Sequence, residues 1–447
     1  MSRKHLRRGW LAAFLSVIMA ASAVLAGCGS SETEDKETEV GFTPKLDTQK
    51  EVTINVVGAF DNFPSLETVA LDFAEYYPNV TVSYSKVDDY TNVRDMLLTD
   101  NPEVDIFMSN NTYIKNSETA KEVAVNLADE SLGFDLSALD PGVFESAKSE
   151  DGGLYRLPIY SICSGLIVNV TLLQENGLEV PTCYSEFVSC CEALEKAGYT
   201  PIYGYNPEGK TNLSQGLYGS MVMTMAAKAN TDGTLDDAVN RNEEGSSEIY
   251  REALVKIEQF ASLGFYSRET SADITDSYEG AILRFFEGDV PFLAATSETM
   301  SGTAKRESKS ENFTANPFTY TFIASPLGES GSYVYVNSGE GLAINKNGAN
   351  LEYAEEFLRF YMSVTELNKS ADVKGMLSTS CEADSAEAFP NLKMDDADYI
   401  SYISDFYLES VQSKTVNELV RLVSDEGVSA EEALSRYDEI LAGFEEE

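Results

Sequence analysis

Apolar and polar positions switch between two periods from residue 51 onward. EVTINVV, Glu51 to Val57, is a β-branched run and predicts a buried strand. In SLETVALDFAEYYP, residues Leu66, Val69, Ala70, Phe73 and Tyr77 fall on one helical face. Ser65 stands where an N-cap belongs, and Pro78-Asn79 stops the helix. VTVSYSKV alternates Val80, Val82 and Tyr84 with polar neighbours, as a strand with one buried face does. A short helix is expected around Tyr90 to Leu98, then an apolar strand in VDIFMS, Val104 to Ser109. Strands alternating with helices at this spacing predict a parallel sheet with helices on its faces, an α/β fold.

Further along, TDGTLDDAVNRNEEGSS (Thr231 to Ser247) and AKRESKSENFTANP (Ala304 to Pro317) are polar and predict inserts or long loops. Ser429 and Glu432 stand at capping-box spacing ahead of a terminal helix. The first residues follow a different pattern. MSRKHLRRG is basic, Trp10 to Leu25 is apolar, and small residues precede Cys28, the order of a secretory signal peptide over residues 1–27. The apolar run is short and alanine-rich for a span, which needs about 20 apolar residues. No other run in the chain is long enough. LAGC, Leu25 to Cys28, resembles the lipobox of bacterial lipoproteins, which implies cleavage before Cys28 and a lipid on its thiol. Residues 28–50 are acidic and aperiodic and read as a flexible tether.

Charge and composition then narrow the function. The formal net charge is −42, and loss of the signal, with Arg3, Lys4, Arg7 and Arg8, deepens it. Nucleic acid and anionic lipid head groups would be repelled, so membrane attachment falls to the lipid on Cys28. The single histidine, His5, and the single tryptophan, Trp10, both lie in the signal. A processed chain therefore has no Ser-His-Asp triad, no Cys-His pair and no histidine-ligated metal. GxSxG and P-loop motifs are absent, and TDGTLDD lacks the spacing and closing glutamate of a calcium loop. No cofactor and no metal is expected. Cys163, Cys183, Cys190, Cys191 and Cys381 are odd in number and form no CxxC, so they read as buried small hydrophobes, with a Cys183–Cys190 disulfide as the sharper alternative.

Four stretches in order resemble the bacterial extracellular solute-binding proteins of the sugar-binding, maltose-binding-protein-like type. They are YYPNVTVSY with NPEVDIF, the segment Gly152 to Ile202, GLAINKNGANLEYAEEFLRFYMS (Gly341 to Ser363), and GVSAEEALSRYDEILAGF (Gly427 to Phe444). The resemblance implies a two-lobed periplasmic-binding-protein-like fold, a Venus flytrap whose lobes are sheets flanked by helices. Residues 51–160 plus 319–365 would form lobe one, and 161–318 plus 366–447 lobe two. Hinge crossings would lie near Leu157 to Gly165, Asn316 to Phe322 and Val364 to Val373. It implies a monomer that captures an oligosaccharide and delivers it to the permease of an ABC importer, with no catalysis. Two departures stand out: the family's Thr-Trp pair is Cys183-Tyr184 here, and aromatic faces fall to Tyr and Phe.

Ligands of such sheets lie at the carboxyl ends of strands. There the sequence offers Phe60, Asp61 and Asn62, then Ser109, Asn110 and Asn111. Tyr160 is the hinge candidate, and lobe two offers Tyr205, Asn206 and Tyr218; the resemblance implies further cleft positions at Thr296 to Glu298 and at Glu340 after Gly339. The same residues also suit turns, exposed loops or core packing. Asp61, Glu298 and Glu340 also fit a cationic solute such as a polyamine or amino sugar. A surface glycosidase needs only two carboxylates and is the third reading.

Overall fold

In the computed structural model the described residues are 42–87, 97, 103–109, 122–149, 151–204, 216–230, 234–266, 278–383, 389, 392, 399–403, 408 and 410–445. Cys28, Asn110, Asn111, Tyr205, Asn206 and the expected helix around Tyr90, apart from Leu97, lie outside them. Every element below belongs to one compact unit, Pro44–Glu447.

The first sheet runs in the order β2 (Val80–Lys86), β1 (Val52–Gly58), β3 (Ile106–Ser109), β10 (Gly341–Ile344) and β4 (Leu157–Pro158). β1 pairs in parallel with β2, Val52 opposite Val80, and with β3, Val56 opposite Ile106. β10 returns antiparallel against β3 and β4. The helix Pro64–Tyr76 buries Leu66, Val69 and Phe73, as its spacing predicts. Its start differs: Phe63 is the N-cap and Ser65 lies buried inside the first turn. Pro64 explains the shift, because a fixed φ and a missing N–H suit the first helical position.

The second sheet is built on β5 (Ser161–Asn169), in the order β11 (Tyr399–Ile403), β9 (Ser332–Ser338), β5, β7 (Phe292–Thr296), β6 (Ile202–Gly204), with β8 (Tyr320–Ala324) also on β5. β5 pairs with β9 through Ser161–Cys163 and with β8 through Gly165–Asn169, so one strand changes partner near Gly165. A Cβ on Gly165 would stand 2.0 Å from the Ile323 carbonyl oxygen, so the exchange needs glycine. Residues 320–338, expected in lobe one, thus pair in the second sheet, and the return crossing is Ser338–Gly341. The cause is that both faces of β8 and β9 are apolar and buried, Ile323 and Tyr335 on one side and Phe322 and Val334 on the other. The helix Val364–Lys374 packs on Pro64–Tyr76, so the third crossing follows it, after Gly375 at φ +71°.

The three crossings are laced together. Gly339 N donates to Tyr160 O at 3.0 Å, Ser161 N to Leu377 O at 2.9 Å, and Thr379 Oγ1 to Pro158 O at 2.9 Å.

Two expected loops contain helix. Residues 304–317 hold a 3-10 turn, Ala304–Lys309, and a helix, Glu311–Ala315, capped by Ser310, whose Oγ accepts from Phe313 N. Phe313 drives this order, its ring 4.5 Å from Phe286 and 5.0 Å from Phe318. Leu235–Asn240 is likewise helical.

Cys163, Cys183, Cys190, Cys191 and Cys381 are free thiols. Burial pushes Cys163 to about 12 and Cys190 to about 11. Ser429 Oγ accepts from Glu432 N at 3.2 Å, which is half of the expected capping box; the Glu432 carboxylate turns to Arg436 instead.

Candidate functional site

β1 ends at Gly58, and Phe60 follows. Tyr84 Oη donates to the Phe60 carbonyl at 2.9 Å and fixes this turn. The Phe60 ring meets Phe63 edge-on at 5.2 Å and lies 6.4 Å from Tyr160 at an interplanar angle of 23°. Tyr160 is fully buried, pressed so closely on Gly339 that a Cβ there would stand 2.9 Å from its ring. Tyr160 therefore supports Phe60 from beneath and exposes no face of its own.

The Lys374 ammonium stands 4.0 Å from the Phe60 ring centroid, a cation–π contact. Lys374 is the last residue of the helix Val364–Lys374, before the left-handed Gly375. Burial pulls its ammonium below the ordinary lysine value; the charge of Glu298 opposes this and Lys305 adds to it. Glu298 is the second residue of the helix Ser297–Thr303, which follows the carboxyl end of β7 with Thr296 as N-cap. Burial raises the Glu298 carboxyl, and Lys374 partly offsets the rise.

Glu340 sits in the β9–β10 crossing. Burial raises its carboxyl, Arg156 pulls it down, and Glu298 pushes it up again. Its Oε2 is buried and accepts no hydrogen bond among the described residues. Arg156 is fully buried. Its Nη1 donates to Gly339 O at 2.5 Å and to Ser109 O at 3.5 Å, and Nη2 donates to Ser338 Oγ at 2.6 Å. Ser109 is thus joined to the site through its carbonyl while its side chain is buried.

Phe60, Lys374, Glu298, Glu340, Arg156 and Ser109 form one connected group at the carboxyl ends of β1, β3 and β7. Asp61 is exposed and bound to Lys86 at 2.7 Å, which holds its carboxyl below the usual range. Asn62 is exposed beside it. Tyr218 stands apart from the group: its ring packs on Tyr266 at 5.1 Å in the second core, and its hydroxyl donates to the Tyr266 carbonyl. A flat ring, two carboxylates and an ammonium within electrostatic reach of one another suit a solute with hydroxyls and C–H faces.

The family model described as bacterial extracellular solute-binding protein matches residues 61–365. The chain belongs to this family. The multiple sugar-binding protein of Streptococcus mutans is 22% identical over 367 residues, 81% of this chain and 80% of that protein. A family 1 extracellular solute-binding protein from Bifidobacterium longum subsp. infantis matches with a TM-score of 0.64 at 16% identity, covering 88% of this chain and 99% of the other. The cyclic alpha-maltosyl-1,6-maltose binding protein from Arthrobacter globiformis also gives 0.64 at 16% identity, covering 88% and 99%. At such identity the two structures speak for the two-lobed fold, which this extracellular solute-binding protein shares.

Two members of its candidate site escaped the sequence reading. Lys374 reads as an ordinary cation closing a helix C-terminus, so it carried no signal. Arg156 carried one: a lone arginine inside the apolar GLYRLPIY must be buried with partners.

Proposed function

We propose that this protein captures a neutral carbohydrate, an oligosaccharide or related polyol, between its lobes and presents it to the permease of an ABC importer while anchored by lipid on Cys28. The observation that carries the ligand class is charge compensation. Glu298 lies within electrostatic reach of Lys374, and Glu340 within reach of Arg156. The carboxylates are then acceptors for sugar hydroxyls without an excess of negative charge to select a cation, and Phe60 offers a face for C–H groups. The sugar-binding relative points the same way. Ligand bridging the lobes would shift the open–closed equilibrium, and the laced crossings are where that motion bends.

The cationic and glycosidase readings lose ground at the same place. Each acid already faces a cation, and nothing sets Glu298 and Glu340 apart as acid and nucleophile. The lipid and permease steps rest on LAGC and on the family.

Thermal unfolding of the full chain in detergent micelles tests the ligand class, since a solute that binds only the folded state raises the melting temperature. At least one neutral saccharide from a broad panel should produce a concentration-dependent rise. A panel of neutral mono- to tetrasaccharides with no such effect would sink the proposal.

A further inference from the structure

We infer that Lys374 is a built-in cation that covers the Phe60 ring and screens Glu298, and so sets the site's selectivity for uncharged solutes over solutes carrying an ammonium group. This rests on reading the Phe60–Glu298–Glu340 space as the solute site.

An aromatic face with a carboxylate in reach is the geometry that recognises an ammonium ion. Here that position is filled from within: Lys374 Nζ stands 4.0 Å from the Phe60 centroid, and its charge acts on Glu298. The fold holds it there from both sides. The Val364–Lys374 helix packs on Pro64–Tyr76 beside the first sheet, whereas Glu298 follows β7 of the second. Gly375, left-handed at φ +71°, ends the helix at Lys374 and lies 3.5 Å from the Ser301 side chain by the position its Cβ would take. The lysine stem therefore leaves a fixed helix end at the junction of the two sheets.

A neutral sugar needs only that the flexible stem swing off the ring, with the ammonium free to keep Glu298 as its counter-charge. An ammonium-bearing solute gains less from the same ring. It must either sit beside Lys374 and Lys305, like charges, or drive Lys374 from both ring and carboxylate.

The test compares the full chain with Lys374→Met, which keeps the stem and loses the charge, with Lys374→Gln, and with Lys374→Arg, which keeps the charge. Calorimetry is run with glucosamine and putrescine as ammonium probes and with whichever neutral saccharide raises the melting temperature. Lys374→Met and Lys374→Gln should bind the ammonium probes about tenfold more tightly than the wild type, the size of one partly desolvated cation–π contact. That gain should fade with added salt, be absent in Lys374→Arg, and disappear when Phe60→Leu is added. Affinity for the neutral saccharide should not rise in Lys374→Met or Lys374→Gln, since both lose the ammonium donor of the candidate site. No gain in either uncharged variant, with a cooperative thermal transition retained, would overturn the inference, as would wild-type protein that prefers the ammonium probes. If neither uncharged variant folds, Glu298→Gln in the wild type decides: it should weaken the ammonium probes further, and unchanged binding counts against Lys374. A gain of ammonium binding with no neutral saccharide bound by any form would leave Lys374's role standing and remove the carbohydrate reading. Neutral binding without the gain would do the reverse.

Discussion

The Arg156 guanidinium donates to the Gly339 carbonyl at 2.5 Å and thereby ties the first crossing to the second. The same group reaches Ser338 Oγ and Ser109 O, so one fully buried cation gathers β3, β4 and the end of β9. Its charge also opposes the burial that raises Glu340. A buried arginine of this kind is costly to desolvate, and removing it leaves acceptors without donors.

Arg156→Met should therefore lower unfolding stability by about 3 kcal/mol, the range for breaking a buried charged network. The urea slope m should stay constant, because the surface exposed on unfolding is unchanged. Arg156→Lys should recover only part, since an ammonium lacks the fork that serves Gly339 and Ser338 together. Urea unfolding of the three proteins checks this. Equal stabilities would mean that the crossings are held by backbone bonds alone.

The Glu298 and Glu340 carboxyls lie above their ordinary value of 4.5 in the folded state, burial being the main cause. The sign follows from linkage: the folded state takes up protons before the unfolded chain does, so these groups cost stability at neutral pH. The cost is relieved as pH falls from just above the carboxylate range to about 4.5 and is constant below it. Relative to a Glu298→Gln/Glu340→Gln double variant, the wild type should gain melting temperature across that window. Saccharide affinity should move oppositely, falling as the acceptors are protonated. A melting-temperature difference independent of pH would refute the linkage.

How far the chain could be read follows from where its information is local. The β1–helix–β2 unit was legible because Val52, Ile54 and Val56, then Leu66, Val69 and Phe73, each bury one periodic face. The lobe assignment of β8 and β9 was not, because Tyr320–Ala324 is an apolar run that would suit either sheet. Its choice of β5 depends on Gly165, 155 or more residues away in the chain. Phe60 and Ser109 were expected because strand ends place ligands, a rule of topology, and Glu298 and Glu340 because the family resemblance implies cleft positions there; the structure brings the four into one neighbourhood. Tyr160 shows the limit of that rule: an aromatic near a strand end packs as readily as it presents a face. Lys374 came to the site through the third crossing, which no local pattern marked.

Tyr77 ends the Pro64–Tyr76 helix, and its hydroxyl organises the first residues of the folded unit. It donates to Glu356 Oε1 at 2.5 Å and accepts from Lys45 N at 3.0 Å and Leu46 N at 3.1 Å. Glu356 is buried and bound also by Arg359 and by Lys45 N. Tyr77→Phe should cost about 2 kcal/mol, because it deprives one buried carboxylate of a donor and two backbone amides of an acceptor. The loss should be local as well as global. Amide exchange at Lys45 and Leu46 should speed up more than exchange in β1, since the ring still fills its place against Phe73 and only the strap loses its hold. Equal acceleration at both places would mean that the substitution acts only through overall stability, and that the hydroxyl does not hold the strap.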